Sequence, residues 1–353
     1  MIAIWYGIIS FLLITYLVLD GRNFGAGMLH GLVAKTREER RQVMAALGPR
    51  NSWDEVWLVG FAGTLLAVFP RLTASAFSGY YMPLFMILWC LVFRGIALEA
   101  RGHVNDHLWQ GFWDVVFVVA NFLLAGLFGV VGGTLLRGVP VDAQGDFSLA
   151  LFTNFKVHGE VGLLDWYTVS VSIFAAIIMG AHGATYLWSR TKDQVHDRCE
   201  FFATRLWIAG AALLPIIIFE TTVVRPGLLL HALENPLIYL GVAMAFAGAG
   251  LLFTGLSGQN ETRAHGASNL LVASLLATIA AALFPVMLYS TLVPKYSMTA
   301  CSTASSPHDL LLALCWWPVT FVLAVAYSVF IARHFSGKVD TLRDNQGFPD
   351  SSP

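Results

Sequence analysis

The chain has 353 residues, of which 57% are hydrophobic and only 12% charged, with 21 lysines and arginines against 22 aspartates and glutamates. Soluble domains carry about 25% charged residues, so this composition excludes a water-facing globular protein, and the near-neutral balance argues against a nucleic-acid binder. Cys90, Cys199, Cys301 and Cys315 lie far apart without a C-x-x-C, which points to neither a disulfide framework nor a zinc site.

A bilayer-spanning helix needs about 20 mostly apolar residues, and nine stretches qualify: 2–19, 56–75, 79–100, 112–136, 167–188, 206–224, 237–256, 267–292 and 310–334. The opening MIAIWYGIIS has no basic leader and no small-residue cleavage site, so it reads as a retained first helix. At its end, Asp20 in LDGRNFGAG is flanked by glycines that suggest a tight turn. In the following loop Thr36 and Glu39 fit a capping box and Gly48-Pro49 a helix stop, with a basic face suited to anionic lipid head groups.

Asp54 and Glu55 begin the second stretch in NSWDEVWLV. Ser52 and Glu55 match a second capping box, and two acids in a first turn complement the helix dipole. Capping and proton relay are both open for this pair. In RGIALEAR, Arg94 and Glu99 are about 140° apart on a helix and do not share a face. Glu99 and Arg101 belong at the membrane interface. Arg94 lies deeper and needs a partner from another helix or a lipid phosphate, or must snorkel. Asp114 is a further ionisable group near the hydrocarbon. His182, in MGAHGATYLW, suits a hydrogen bond to a neighbouring helix better than a haem iron, because a lone histidine is a weak ligand signal. Glu220 follows Pro215 near the far end of the sixth stretch. Small residues at four-residue spacing, Gly129 and Gly133 or Ala176, Gly180 and Ala184, mark close helix contacts.

Sixteen of the 21 basic residues fall in loops after odd-numbered stretches or in the tail, and five in the other loops. The positive-inside rule then places the N-terminus outside and the C-terminus inside. Residues 1–336 form the integral membrane domain, and 337–353 a polar cytoplasmic tail. There is no P-loop, no dinucleotide fingerprint, and no histidine pair at one depth on facing spans.

Taken in order, Asp20-Gly21 with Gly25-x-Gly27, Gly48-Pro49, Glu55-Val56-Trp57-Leu58, Phe69-Pro70, Phe77-Ser78-Gly79-x-Tyr81, and Arg94-Gly95 with Glu99-x-Arg101 form one pattern. It continues through Trp109-x3-Trp113-Asp114, Gly138-Val139-Pro140, His182-Gly183-Ala184-Thr185-Tyr186-Leu187, Phe284-Pro285 and Ser297-Met298-Thr299. This pattern resembles subunit II of the cytochrome bd-type quinol oxidases, including the cyanide-insensitive branch. The resemblance implies nine transmembrane helices arranged as two four-helix bundles plus one peripheral helix. It implies a membrane complex of bacteria or archaea that oxidises quinol and reduces oxygen. The haem-bearing subunit I would hold haem b and either haem d or a second b haem, and this chain none. It also leaves room for one or two small single-helix subunits and for a structural quinone or lipid.

Asp20, Ser52, Asp54 and Glu55 are the candidate proton route on that reading, with Trp57, Arg94, Glu99, Arg101, Asp114, His182 and Glu220 as structural or interface groups. The chain departs from the family here. The Asp-Gly-Phe-Asp after the first helix is Asp20-Gly21-Arg22-Asn23, and Asn51-Ser52 align with a usual Trp-Asp, or Trp53-Asp54 is that pair moved two residues along. Cys301-Ser302 stands where the family has a further Trp-Asp. The alternative reading is a secondary transporter using Asp20, His182 and Glu220 as coupling groups, against which the lack of evident inverted repeats argues. A b-type cytochrome using His182 is the third.

Overall fold

The computed structural model describes residues 1–47, 53–157, 159–334 and 338. The Gly48-Pro49 stop, Ser52, and the tail apart from Lys338 lie outside the described residues. From the N-terminus, α1 (Ile2–Leu19), α2 (Gly21–Val33), α3 (Arg37–Leu47), α4 (Glu55–Val68), α5 (Pro70–Gly79), α6 (Tyr81–His103) and α7 (His107–Arg137) come first. A parallel strand pair, β1 (Ala150–Phe152) and β2 (Gly162–Leu164), precedes α8 (Trp166–Arg190), α9 (Asp193–Val224), α10 (Pro226–Leu233), α11 (Pro236–Ser257) and α12 (Glu261–Leu283). An antiparallel pair, β3 (Val286–Leu288) and β4 (Met298–Thr299), leads through α13 (Ala300–Thr303) to α14 (Pro307–His334).

Among the described residues, eight helical segments are long and apolar enough to cross a membrane, and α4 is a shorter apolar helix. The second stretch, expected as one helix over 56–75, is broken into α4 and α5 at Phe69–Pro70. Proline has no N–H and drives the residue before it out of the helical region, and Phe69 accordingly sits at φ −127°, ψ 60°.

The tight turn expected at Asp20 is absent. Asp20 keeps helical angles (φ −89°, ψ −24°), so Ile2–Val33 runs as a 32-residue segment, about 48 Å long. The glycines serve helix contact instead. A Cβ on Gly25 would overlap the Met179 carbonyl, and one on Gly183 would overlap the backbone of Gly25 and Ala26. The seam between α2 and α8 is thus backbone against backbone. Gly129 and Gly133 do the same for α7 on α8, where added Cβ atoms would stand 2.7 Å from Ser172 Cα and 3.1 Å from Thr168 Cα.

α2 lies between α7 and α8; α6, α7, α8 and α9 pack in succession; α12 joins α11 to α8 and α1; and α4 bridges α1 and α14. Large apolar side chains on the outside of α6, α11 and α14, such as Phe85, Phe246 and Leu323, stay exposed, as lipid-facing residues do. The helices have one end rich in arginine, called the basic end below. There the Thr36–Glu39 capping box forms, the Glu39 amide donating to Thr36 Oγ1 at 3.2 Å and the Thr36 amide to Glu39 Oε2 at 3.0 Å.

Part of the basic face of α3 takes protein partners. Arg40 turns inward to Asp114 (3.1 Å), Arg37 donates to Asn105, and Arg198 of α9 donates to Glu39 (2.9 Å) and to the Val33 carbonyl (2.8 Å). These pairs make α3 a strap across α2, α7 and α9. Burial works against ionisation of Glu39, yet the Lys35 and Thr36 amides and Arg198 hold its carboxyl below the usual carboxylate range.

At the opposite end the 138–165 and 286–306 connections interlock. The Val139 amide donates to the Tyr289 carbonyl (2.9 Å), Thr291 to Val139 (3.0 Å), and Ser290 Oγ to Val141 (2.6 Å). Gly138 makes this possible at φ +100°, where a Cβ would meet Tyr289 at 2.7 Å.

Candidate functional site

An ionised side chain near hydrocarbon is costly unless paired and hydrogen-bonded, so the fold must supply partners for each polar residue that α1, α2, α4 and α6 carry inside. Arg94, fully buried on α6, donates from two nitrogens to the two oxygens of the fully buried Asp20, at 2.8 and 3.0 Å. The rigid guanidinium fork suits this bidentate geometry. Arg94 also donates to Glu55 at 2.6 Å, and its guanidinium carbon lies 5.1 Å from the centre of the Phe24 ring. The expectation that Arg94 needs a partner from another helix is met twice.

Asn23 stands one helical turn after Asp20. Its amide nitrogen lies 3.0 Å from Asp20 Oδ1 and 3.0 Å from Asp54 Oδ2. Arg22 donates to the same Asp54 oxygen at 3.2 Å and lies 5.0 Å from the Tyr186 ring centre. One connected network therefore runs Glu55–Arg94–Asp20–Asn23–Asp54–Arg22. With every acid and base ionised it holds three carboxylates and two guanidiniums. Glu55 is its most exposed member, with a side chain 35% exposed, whereas Asp20 and Arg94 are at 0%.

At the start of α4 the two acids face the network, with Glu55 in the first turn. Asp54 occupies the N-cap position, but its side chain makes no cap hydrogen bond. A cap is worth about 1 kcal/mol, and hydrogen bonds to charged donors in a dry site are stronger. Arg22 and Asn23 therefore draw Asp54 away, and Arg94 draws Glu55. Ser52, the other half of the expected capping box, lies outside the described residues.

A second cluster gathers on Asp114. His30 Nε2 lies at 3.2 Å, Arg40 Nη1 at 3.1 Å and Arg101 Nε at 2.6 Å. Arg101 is buried because Asp114 holds it inward, while Glu99 is exposed. His182 forms the expected interhelical hydrogen bonds, with Nε2 3.0 Å from the Val18 carbonyl and Nδ1 3.0 Å from Ser268 Oγ. A carbonyl only accepts, so Nε2 carries the proton and Nδ1 faces the serine. Both nitrogens are engaged, and a haem iron would have to displace one of these partners. The residues at this position do not fit a haem ligand. Among the described residues no three His, Cys, Asp or Glu stand together as a metal site.

Glu220 lies near the opposite end of the helices, apart from these groups, and accepts from Ser170 Oγ at 3.3 Å. Trp57 is buried between α1 and α14, edge-on to Phe11 and Phe321 with ring centres 6.3 Å away in both cases, and acts through packing. Sequence reasoning missed Arg22, His30, Arg40 and Ser268 as partners, and treated Asn23 only as a lost acid. A signal for two of them existed: Asp20, Asn23, Gly27 and His30 recur at spacings of three, four and three, one face of a helix.

A family model described as cytochrome bd terminal oxidase subunit II matches residues 1–335. The chain is 26% identical over 313 residues to the Bacillus subtilis protein named cytochrome bd ubiquinol oxidase subunit 2, covering 87% of each. It is 26% identical over 364 residues to the probable cytochrome oxidase subunit 2 of Haemophilus influenzae, covering 96% of this chain and 94% of that one. With cytochrome bd-I ubiquinol oxidase subunit 2 of Escherichia coli K12 the identity is 31% over 216 residues, 61% of this chain and 54% of the relative. A chain of the bd oxidase structure from Geobacillus thermodenitrificans superposes with a TM-score of 0.74 at 16% identity, covering 95% of this chain and 98% of that one. That likeness carries the fold.

Proposed function

The chain belongs to the cytochrome bd terminal oxidase subunit II family, and from that premise we propose that it is the haem-free second subunit of a complex that oxidises quinol and reduces oxygen. The observation that carries this reading is the family match over residues 1–335. The redox centres, haem b with haem d or a second b haem, belong on this reading to the partner, subunit I. Supporting it, His182 has both ring nitrogens engaged. One or two small single-helix subunits, and a structural quinone or lipid, complete the proposed complex.

The proposed layout has nine crossings of a bacterial or archaeal cytoplasmic membrane, with α4 and α5 together as the broken second crossing. The N-terminus is outside and the basic end inside, and the helices form two four-helix bundles plus one peripheral helix. Residues 1–336 are the membrane domain and 337–353 a cytoplasmic tail.

Within the complex, this chain scaffolds the partner and offers protons a way in from the basic end. Glu55 is the group of the network that water reaches, so it is the proposed point of uptake. Asp54 and Asp20 follow inward, each held by a guanidinium, and Ser52 belongs to the same route. Asn23 donates hydrogen bonds to both aspartates but has no proton to exchange at neutral pH. It orders the route rather than carrying charge along it.

Two experiments test this reading. Purification through a tag on this chain is expected to bring down a larger subunit, b-type bands together with d-type or a second set of b-type bands, and quinol-driven oxygen uptake. A haem-free preparation favours the transporter alternative, and haem retained by this chain alone overturns the division of labour. For the route, the Asp54→Asn plus Glu55→Gln double variant is expected to lose turnover and charge translocation together. Wild-type values for both refute it.

A further inference from the structure

We infer that residues 150–157 form an interfacial anchor, docking into the head-group layer of the leaflet opposite the basic end and taking a lipid phosphate at Lys156. This segment lies outside the membrane-crossing helices, where exposed large apolar side chains need a separate explanation. Phe152 is 66% exposed, Phe155 51% and Val157 49%. Soluble surfaces scatter such residues singly, and a contiguous group marks an interaction surface.

Two independent ties set the height of this group relative to the bilayer. Phe152 is in parallel register with Leu164, two residues before α8 begins at Trp166. Trp166 Nε1 in turn donates to the Val157 carbonyl at 3.4 Å. The exposed group is thereby held level with the end of a 25-residue crossing helix, where a half-buried tryptophan already stands. Tryptophan with apolar neighbours at that level is the composition of a membrane-interface belt. The base of the segment is rigid, since Arg137 pairs with Asp165 at 2.6 Å and Asp165 caps α8 through the Tyr167 and Thr168 amides.

Local hydrogen bonds hold the backbone of the tip. Thr153 Oγ1 accepts from the Phe155 amide, Asn154 Oδ1 from the Lys156 amide, and the Lys156 carbonyl from Gly159. Phe155 holds φ +52°, a conformation uncommon outside Gly, Asn and Asp. Lys156 stands between Phe155 and Val157 in the chain, exposed and without an ion pair among the described residues. Aromatic rings beside a lysine are the chemistry of an acyl boundary under a phosphate layer. A polar water-facing loop has no use for that arrangement.

The test uses the whole complex in nanodiscs of phosphatidylglycerol and phosphatidylcholine in equal parts, with Cys301 and Cys315 changed to serine. A spin label is placed by Phe155→Cys, or by Gln144→Cys in the exposed turn of the same connection. At position 155, collisions with oxygen are expected to exceed those with a water-soluble nickel chelate, and at 144 the order is expected to reverse. Lys156→Glu should raise nickel access at 155 in these discs and leave 144 unchanged. Nickel access at 155 equal to that at 144 overturns the anchor. Exclusion of both reagents at 155 overturns it too, because the surface is then covered by protein. Haem bands and turnover in each labelled sample show that the complex is intact.

Discussion

Replacing Arg94 with leucine removes three charge-assisted hydrogen bonds whose costs differ with what each acceptor does next. Asp20 takes two of them and has no exposed surface. Its carboxylate would be left buried without a countercharge, and breaking a buried pair in this way costs about 3–5 kcal/mol. Glu55 takes the third, but its side chain is 35% exposed. Water replaces the guanidinium there, so Glu55→Gln should cost only about 1 kcal/mol. Arg94→Lys keeps the charge and loses the fork, and should fall between the two. Asp20→Asn in the Arg94→Leu background removes the stranded charge and should recover about 2 kcal/mol relative to additivity. The assay is unfolding of the purified complex in mixed detergent micelles, completed as a double-mutant cycle. A coupling energy near zero, or an Arg94→Leu cost no larger than that of Glu55→Gln, would refute the claim that Asp20–Arg94 is the dry centre of the network.

Asn23→Asp, which restores the acid usual in the resembling family, sets a third carboxylate against Asp20 and Asp54 and removes a shared donor. It should lower stability by about 2 kcal/mol, read as a drop in thermal midpoint. Gly183→Ala puts a methyl into the backbone of Gly25 and Ala26 and should cost about 3 kcal/mol or prevent assembly, seen as loss of the monodisperse complex on gel filtration. Glu39 ionises below its ordinary value in the folded chain, so its contribution is complete above the unfolded pKa and fades as pH falls through the folded one. The stability gap between wild type and Glu39→Gln should be constant at neutral pH and close below about pH 4, measured as paired thermal melts across that range.

Hydropathy made the crossing helices legible, because lipid demands long apolar runs whatever they pack against. The Phe69–Pro70 break could have been read as well, since proline's effect is local. Arg94 announced itself as needing a partner for the same solvation reason. Which partner it takes is another matter: Asp20 is 74 residues away and Glu55 39, and no local periodicity encodes a meeting of α1, α4 and α6. Asp54 and Glu55 stayed open between cap and relay because a carboxylate in a first turn suits both, and only the position of Arg22 and Arg94 shows which partners they take. Arg40 is a similar case: its meeting with Asp114 of α7, 74 residues on, is invisible to the local pattern.

The Asp20–Arg94 pair also sets an order of events during synthesis. Asp20 is made 74 residues before the side chain that completes it, an interval of about 4–15 s at ordinary elongation rates. Through that interval the nascent helix holds Asp20 about 27 Å from its first residue, near the edge of a bilayer core, along with Arg22 and Asn23. Hydrocarbon would reject such a segment, so it must wait beside water or the insertion machinery until α6 arrives. The α1–α2 segment is therefore not settled before α6 has been made.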